Sequence, residues 1–188
     1  VAMHMNEVFE ENQLPIKYCG LSPCFRREIG SHGIDTRGLF RVHQFNKVEQ
    51  VVFCKPEDSW RLHEEIQKNS EEMLKLLGIP YRVVNICTAD IGTIAAKKYD
   101  IEAWFPRENA YREVTSASNC TSYQATRLNI RYKHGNEKSY VHTLNNTGIA
   151  TSRTIRAIIE NYQNKDGSVT VPEVLQPYMN GLKRIERK

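Results

Sequence analysis

The sequence contains none of the glycine-rich phosphate-binding patterns on which many nucleotide-binding folds depend. Neither GxxxxGK followed by Ser or Thr nor GxGxxG occurs in its 188 residues, which excludes a P-loop and a dinucleotide-binding turn. Arginine side chains and a β-sheet would therefore have to hold any nucleotide that binds here.

Cysteine and histidine also form no recognisable disulfide or ligand pattern. The five cysteines are an odd set without a CxxC pair, and none of the six histidines has metal-ligand spacing with them. We therefore expect neither a disulfide framework nor a zinc site, and a reducing compartment fits this pattern. The sequence has no signal peptide and no apolar run of membrane-spanning length, so we expect a cytoplasmic protein without a membrane partner.

The composition is that of a soluble globular protein with one sizeable core. Hydrophobic residues make up 40% of the chain and charged residues 26%, a balance that suits a single domain at this length. The net charge of +4 permits a polyanionic partner without requiring one.

The first residues predict the interior of a helix. Residues 2–9 place their apolar side chains near one helical face, and no capping residue precedes Val1. We therefore expect the chain to be part of a longer protein.

The remaining periodicities predict an antiparallel sheet backed by helices. Strands are expected over 16–28, 39–54, 81–87, 99–105, 111–118 and 139–145, helices over 56–77, 123–132 and 151–162, and a polar loop over 30–37. The apolar stripe of the first helix comprises Trp60, Leu62, Ile66, Met73, Leu74 and Leu77; the last helix has Thr151 at its cap and Ile155, Ile158, Ile159 and Tyr162 facing inward. Because neighbouring strands adjoin by hairpins, the predicted fold class is α+β.

The strand expected over 39–54 has one apolar face and one chemically rich face. Because side chains alternate along a strand, Arg41, Phe45 and Glu49 share a face over about 26 Å. The same face carries His43 and Lys47, and the opposite face carries Phe40, Val42, Val48 and Val52. Such a track suits an elongated ligand with a phosphate, a flat base and an amine or hydroxyl. A solvated sheet face with cross-strand ion pairs is the alternative.

Two further arginines stand where an anion would bind. Arg26 and Glu28 share a face of the preceding strand, which presents a guanidinium for phosphate beside a carboxylate acceptor. Arg153 lies in the first turn of the last helix, where a cation opposes the helix dipole and commonly meets an anion or a ring. Alternatively, Arg153 points into solvent at a small energetic cost.

Two groups of segments resemble signature motifs of the seryl-tRNA synthetases. Residues 24–28 (CFRRE), 35–45 (DTRGLFRVHQF) and 47–50 (KVEQ) are similar to motif 2 of that family, and residues 144–153 (LNNTGIATSR) with 160–163 (ENYQ) are similar to motif 3. The likeness covers nearly all of the chain. It implies a class II aminoacyl-tRNA synthetase core, with the whole chain as a catalytic domain that lacks its N-terminal part.

The resemblance implies a ligase of translation. Such enzymes activate L-serine with ATP to seryl-adenylate, release pyrophosphate, and transfer serine to tRNA(Ser) in a magnesium-dependent reaction, as homodimers. The tRNA-binding helical arm, the motif 1 dimerisation element and the Thr-x-Glu segment that contacts the serine amino group would all precede Val1. Two alternatives remain open: a truncated paralogue that binds nucleotide without charging tRNA, and an enzyme that passes the activated amino acid to a carrier protein.

The resemblance also assigns roles in ATP binding. Arg26 would hold the α-phosphate and stabilise the charge that develops when the serine carboxylate attacks it. Arg41 would reach the terminal phosphates, Glu28 would fix the adenine end, and Phe45 and Arg153 would cover the two faces of adenine. Arg26, Glu28 and Arg153 are thus the implied catalytic residues. The full implied ATP-binding set is Arg26, Arg27, Glu28, Arg41, Val42, His43, Gln44, Phe45, Glu113, Val114, Thr115, Ser116 and Arg153.

A second implied set binds serine, namely Arg26, Glu49, Asn145 and Thr147. Of these, Glu49 and Thr147 would grip the serine hydroxyl. Glu113 and Ser116 would bind the Mg²⁺ that bridges the ATP phosphates, and no zinc is expected. These two residues are three positions apart and would lie on opposite faces of a regular strand. The assignment therefore predicts a bulge or bend before Ser116; alternatively, Glu113 is an ordinary sheet carboxylate.

Overall fold

A computed structural model describes residues 1–28 and 38–187. Most of these residues belong to strands and helices. The strands are β1 Val8–Glu10, β2 Ile16–Phe25, β3 Gln44–Cys54, β4 Tyr81–Asn85, β5 Lys97–Phe105, β6 Ala110–Asn119, β7 Arg131–His134, β8 Glu137–Tyr140, β9 His142–Ala150, β10 Val169–Thr170 and β11 Arg184–Ile185. The helices are α1 Ser59–Leu76, α2 Tyr123–Leu128 and α3 Thr151–Tyr162, with short 3-10 turns at Ala2–His4, Glu11–Gln13, Pro56–Asp58 and Glu173–Met179. The polar loop predicted over 30–37 lies outside the described residues.

The centre of the fold is a six-stranded sheet in the order β2-β3-β9-β6-β5-β4. Every neighbouring pair in it is antiparallel, so the predicted α+β class is confirmed. A second sheet contains β1, β7 and β8, with β1 parallel to β7, and β10 pairs with β11. Because β9 lies between β3 and β6, segments that are distant in sequence meet on one face of the central sheet.

Helix α1 covers the other face of that sheet and follows its predicted boundaries closely. It begins directly after the turn at Pro56–Asp58, and Gly78, with a φ of 64°, stops it. Leu62 and Ile66 are buried in a cluster with Leu144 of β9. These contacts attach the helix to the centre of the sheet, because removing such apolar side chains from water is the main driving force for packing.

The buried face of α1 is more polar than its periodicity predicts. His63, Gln67 and Ser70 are buried, whereas Trp60, expected in the apolar stripe, is 50% exposed. The prediction for Trp60 is therefore wrong. The sheet explains the difference, because the Asn146 side chain of β9 is buried and donates to the Ser70 hydroxyl at 2.8 Å.

Helix α3 has the predicted boundaries, and its predicted inner face is correct for Ile158, which packs against the core, and for Tyr162, whose hydroxyl donates to the Leu77 carbonyl at 2.7 Å. Its buried residues are Ser152, Thr154 and Ala157. Ile155 and Ile159 are 46% and 39% exposed, so their predicted inward orientation is wrong. Small side chains on the inner face allow the helix backbone to lie close to the strands, which larger isoleucines would prevent.

The start of α3 is attached to β3 rather than capped by its own first side chain. Ala150 occupies the cap position, so the predicted capping by Thr151 is wrong. The Thr151 hydroxyl instead donates to the carbonyl of Asn46 at 3.0 Å. This bond fixes the first turn of α3 beside the strand that carries motif 2.

Three other predicted elements are folded differently. Residues 2–9 form a 3-10 turn and then β1 instead of a helix, because β1 pairs with β7. The helix predicted over 123–132 is capped at Asn129, which has a left-handed φ of 52°, and β7 follows. The strand predicted over 139–145 is divided at Val141 into β8 and β9.

Within residues 1–28 and 38–187, none of the helices combines the length and the apolar character that crossing a bilayer requires.

Candidate active site

A cleft lies between the central sheet, the first turn of α3 and residues 38–43. Its volume is about 570 Å³, counted with the solvent at its mouth, which is within the usual range for small-molecule sites. It is lined by Arg26, Glu28, Phe40, Arg41, Val42, Phe45, Lys47, Glu113, Val114, Thr115, Ser116, Thr147, Ala150, Ser152 and Arg153.

A bulge in β6 brings the two predicted metal ligands onto one face. Ile101 and Glu102 are neighbours on β5, whereas their partners Thr115 and Glu113 on β6 are separated by Val114. The extra residue shifts the alternation of side chains by one position. Two residues three positions apart can therefore point in the same direction, and the predicted bulge is confirmed.

A second bulge, in β9, places Thr147 opposite Glu49. Val48 pairs with Ile149 and Glu49 with Thr147, so Gly148 is the extra residue. The Thr147 hydroxyl donates to the Glu49 carboxylate at 3.2 Å. The two residues predicted to share a substrate hydroxyl are thus in direct contact.

Lys47 adds a positive charge to this pair. Its ammonium nitrogen lies 2.8 Å from the Glu49 carboxylate, and both side chains are about one quarter exposed. The carboxylate thus has a cation and a hydroxyl donor beside it, an arrangement that suits recognition of a substrate hydroxyl.

Arg41 reaches the cleft by a route that differs from the prediction. β3 begins at Gln44, so the regular alternation predicted for the whole of 39–54 is wrong for Arg41, while Phe45 still lies on the strand. Arg41 forms an ion pair with Glu28 at 2.9 Å. The carboxylate of the preceding hairpin segment thus orients this arginine.

Arg26 extends the hairpin beyond the end of β2. Its amide donates to the His43 carbonyl at 2.8 Å, and its guanidinium carbon lies 5.4 Å from the centre of the Phe45 ring. This cation–π distance places the guanidinium directly beside the aromatic surface of the cleft.

Arg153 is held by contacts with two other elements. Its guanidinium donates to the backbone carbonyl of Glu113 at 2.7 Å and lies 3.4 Å from the carboxylate of the same residue. The guanidinium carbon is 4.6 Å from the centre of the Phe40 ring. Arg153 therefore faces into the cleft beside β6 and does not point freely into solvent.

Phe40 is a site residue that the sequence did not identify. It was expected on the apolar face of a strand, but it lies before β3, is 4% exposed and lines the cleft. Besides Arg153, the guanidinium carbons of Arg112 and Arg156 approach its ring at 4.4 and 5.2 Å. The arginines come from β6 and α3, both distant from Phe40 in sequence, so no local periodicity could have predicted this environment.

The remaining predicted site residues lie outside the cleft. Arg27, His43 and Gln44 are exposed and do not line it. Glu49 does not line it either, but it accepts a hydrogen bond from Thr147, which does. Asn145 borders a neighbouring cavity and donates to the Cys120 sulfur at 3.7 Å. Conversely, the cleft is also lined by Lys47, Ala150 and Ser152, which with Phe40 were in none of the implied binding sets.

Burial perturbs several ionisable groups around the site. It raises the pKa of the Asp100 carboxyl, which the nearby Ser116 hydroxyl opposes and the Glu113 charge reinforces. Burial likewise raises the pKa of the Cys120 thiol to about 11 and that of Cys54 to about 12. Both thiols are therefore protonated at neutral pH and are poor nucleophiles.

Within the described ranges, no group of three or more His, Cys, Asp or Glu side chains is arranged to hold a metal ion.

Comparison with known proteins identifies relatives along almost the whole chain. A model for the "tRNA synthetase class II core domain (G, H, P, S and T)" matches residues 1–162. The serine–tRNA ligase of Methanocella arvoryzae is 68% identical over 184 residues, which cover 96% of this chain and 43% of the relative. That of Pyrococcus abyssi is 58% identical over 185 residues, or 97% of this chain and 40% of the relative. The chain thus spans less than half the length of these curated relatives.

Solved structures show the same fold. Seryl-tRNA synthetase from Pyrococcus horikoshii, complexed with ATP, superposes with a TM-score of 0.96 at 57% identity. The match covers 100% of this chain and 42% of the length of that synthetase. Cytoplasmic serine–tRNA ligase from Naegleria fowleri, in complex with AMP, gives a TM-score of 0.94 at 54% identity. This match covers 100% of this chain and 45% of the length of that ligase. The resemblance inferred from the motifs is confirmed.

Proposed function

Because the chain belongs to the family of class II tRNA synthetase core domains, we propose that it forms the catalytic part of a serine–tRNA ligase. The observation that carries this proposal is the convergence of Arg26 and Arg153, from distant segments, on one cleft that also contains Glu113, Ser116 and Thr147. The neighbours in the solved-structure comparison were crystallised with ATP and with AMP, which supports a nucleotide in the same place.

The reaction we propose begins with an in-line displacement. The serine carboxylate attacks the α-phosphorus of ATP, the new carboxyl–phosphate bond forms, and the bond to the departing pyrophosphate breaks. No base is needed, because the carboxylate is already ionised at neutral pH. The protein has to align the reactants and neutralise charge at the α-phosphate, and Arg26 is placed to do both.

The adenine ring would lie between an aromatic and a cationic surface. Phe45 supplies a ring in the cleft, and Arg153 supplies a guanidinium that Phe40 and Glu113 already hold in place. A planar guanidinium stacks on flat π systems. Arg41, oriented by Glu28, would then contact the terminal phosphates.

Glu113 and Ser116 fit Mg²⁺ as a pair of hard oxygen ligands. They share a face of β6 because of the bulge at Val114, and the Glu113 side chain lines the cleft and is 48% exposed to solvent. Mg²⁺ commonly takes few protein ligands and completes its shell with phosphate and water. When bound, the ion would neutralise charge on the ATP phosphates.

Selection of serine would depend on the contact between Glu49 and Thr147. A buried acceptor that binds a substrate hydroxyl strongly rejects a substrate without one, because the acceptor would remain unpaired. The Glu49 carboxylate, with Lys47 at 2.8 Å, supplies this acceptor. Alanine and glycine would be rejected on this basis.

The second reaction transfers the seryl group to a terminal hydroxyl of tRNA(Ser), and AMP leaves. This step, homodimer formation and a cytoplasmic location belong to the same proposal. They are supported by similarity to relatives named serine–tRNA ligase. This chain matches 43% and 40% of the length of the two relatives compared above.

Serine-dependent exchange between ATP and labelled pyrophosphate, measured on the full-length protein, tests the first step. We expect exchange with serine and none with alanine or glycine, followed by charging of tRNA(Ser). Exchange with alanine or glycine but not with serine would exclude the seryl assignment. Exchange without transfer to tRNA would favour a paralogue or an enzyme that serves a carrier protein.

A further inference from the structure

Asp100 of β5 is a partly buried carboxylate to which neither the motifs nor the proposed function gives a role. Its Oδ1 atom is inaccessible to solvent and has no hydrogen-bond partner among the described residues. Leaving a buried polar atom without a partner costs free energy. An arrangement of this kind in a folded protein calls for an explanation.

The strand register places Asp100 beside the proposed metal ligands. Asp100 is the direct partner of Ser116 in the β5–β6 pair. The bulge at Val114 turns Glu113 toward the same side, and the two carboxylates are close enough for their charges to interact. Asp100 itself does not line the cleft, whereas its strand partner Ser116 does.

Other charged groups near Asp100 do not provide it with a partner. Lys98 and Glu102 flank it on β5 and act on it only through their charges. Glu102 is committed elsewhere, because its carboxylate accepts a hydrogen bond from Arg82 at 2.6 Å. Ser116 is the neighbour whose hydroxyl interacts with the Asp100 carboxyl.

A serine hydroxyl that binds a metal ion needs an acceptor for its proton. The oxygen offers a lone pair to the cation, and its O–H must then point away from the cation. A carboxylate behind the ligand accepts this hydrogen bond, fixes the hydroxyl rotamer and makes the oxygen a better donor to the metal.

We propose that Asp100 is a positioning residue that accepts the hydrogen bond of the Ser116 hydroxyl and so directs its oxygen toward the magnesium ion that accompanies ATP. The inference rests on the proposed function, since it requires a divalent cation at Glu113 and Ser116. Asp100 touches neither ATP nor serine, and its effect is transmitted through one side chain.

Binding of Mn²⁺ to the full-length protein, saturated with a non-hydrolysable ATP analogue and followed by electron paramagnetic resonance, tests the proposal without requiring turnover. We expect Asp100→Ala to weaken Mn²⁺ binding about tenfold or more, as removal of outer-shell carboxylates commonly does. Ser116→Ala should weaken it to a similar degree. The double variant should bind Mn²⁺ no more weakly than Ser116→Ala alone.

Two controls separate this role from others. Glu102→Gln removes the same charge two positions along β5 and should leave Mn²⁺ affinity within about twofold, which excludes a general electrostatic effect. Asp100→Asn conserves shape and a carbonyl acceptor, so it should restore part of the affinity that alanine loses. Its thermal midpoint should equal or exceed that of the unsubstituted protein, because it removes a partly buried charge whose Oδ1 atom has no hydrogen-bond partner among the described residues.

Unchanged Mn²⁺ affinity in Asp100→Ala, or losses that multiply in the double variant, would overturn the inference. A lowered midpoint in Asp100→Asn with normal Mn²⁺ affinity would assign Asp100 a purely structural role and overturn it too. Glu113→Gln distinguishes failure of the premise: if it does not weaken Mn²⁺ binding either, the proposed metal site itself is wrong. If Glu113→Gln abolishes binding and Asp100→Ala does not change it, only the role of Asp100 is wrong.

Discussion

At the scale of single residues, the adjacent arginines Arg26 and Arg27 differ in whether they line the cleft. Arg26 lines it and stands beside Phe45, whereas Arg27 does not contribute to its lining. Similarity to motif 2 alone placed both in the ATP site.

We expect Arg26→Ala to reduce serine-dependent pyrophosphate exchange by about 10²–10³-fold, the usual effect of removing one group that stabilises transition-state charge. Arg27→Ala, which removes an equal charge one position away, should keep the exchange rate within a few-fold. Steady-state kcat and KM for ATP provide the measurement. Equal losses in the two variants would contradict the assignment of the reacting phosphate to Arg26.

A second residue-scale feature is the ring of Phe40, which has arginine side chains around it. Arg112, Arg153 and Arg156 approach it within 5.2 Å, and the edge of Phe105 packs against it at 5.6 Å. Each partly buried cation–π contact is worth about 0.5–2 kcal/mol. The ring therefore restrains Arg153, which in our proposal covers adenine.

Phe40→Leu should raise the KM for ATP several-fold, because leucine fills most of the space but does not attract the Arg153 guanidinium. Phe105→Leu is the matched control: it alters the same core and the contact with Arg156, but it does not touch Arg153. We expect it to lower thermal stability with little change in the KM for ATP. Similar KM values in both variants would show that Phe40 acts through packing alone.

At the scale of elements, the two β-bulges align the site. The bulge at Val114 puts Glu113 and Ser116 on one face, and the bulge at Gly148 puts Thr147 opposite Glu49. Both interrupt strands at the centre of the sheet, where an extra residue disturbs hydrogen bonding on a paired edge. That cost is tolerated at the two places where side chains have to be redirected toward the cleft.

Deleting Val114 should restore regular pairing between β5 and β6 and separate the proposed metal ligands onto opposite faces. We expect Mn²⁺ binding in the presence of an ATP analogue to be lost, while circular dichroism still reports a folded sheet. Val114→Ala keeps the bulge and removes only core volume, so it should lower stability by about 1–3 kcal/mol and retain Mn²⁺ binding. A deletion variant that binds Mn²⁺ normally would refute the role of the bulge.

At the scale of the whole molecule, stability should depend on pH through histidines of opposite character. Burial lowers the pKa of His63, which lies on α1 and faces the sheet, with its Nε2 3.1 Å from the Ala117 carbonyl. Burial also lowers the pKa of His142. In contrast, a hydrogen bond to Glu11 raises the pKa of exposed His134.

The signs of these shifts set the pH window. When the folded-state pKa lies below the ordinary value of about 6.5, the unfolded chain binds more protons as the pH falls, so folding stability decreases below about pH 6.5. His63→Gln should therefore lose less stability between pH 8 and pH 5.5 than the unsubstituted protein, measured as the urea midpoint. His134→Gln should show the opposite change, because its contribution is present below about pH 6.5 and disappears as the pH rises. Parallel curves for all three proteins would contradict this account.

Local patterns in the sequence were sufficient for much of the architecture. The boundaries of α3, the stop of α1 at Gly78 and the antiparallel character of the sheet follow from periodicity, from glycine and from hairpin spacing. The bulge before Ser116 could also be predicted, because two ligands three positions apart conflict with strand alternation. Residues 39–43 and 123–132 were less predictable, since tertiary contacts at Phe40 and pairing of β7 override their local preferences.

What the sequence by itself determined is the chemistry available to this protein: the arginines and carboxylates of the two motifs, and the need for a sheet in place of a glycine loop. Only the tertiary structure decided which of them act together. It brought Arg26 but not Arg27 to the lining of the cleft, put Phe40 beside Arg153, and paired Asp100 with Ser116 across β5 and β6. The physical reason is that periodicity acts over a few residues, whereas cross-strand neighbours are chosen by the order of strands in the sheet, which depends on burial of the whole core.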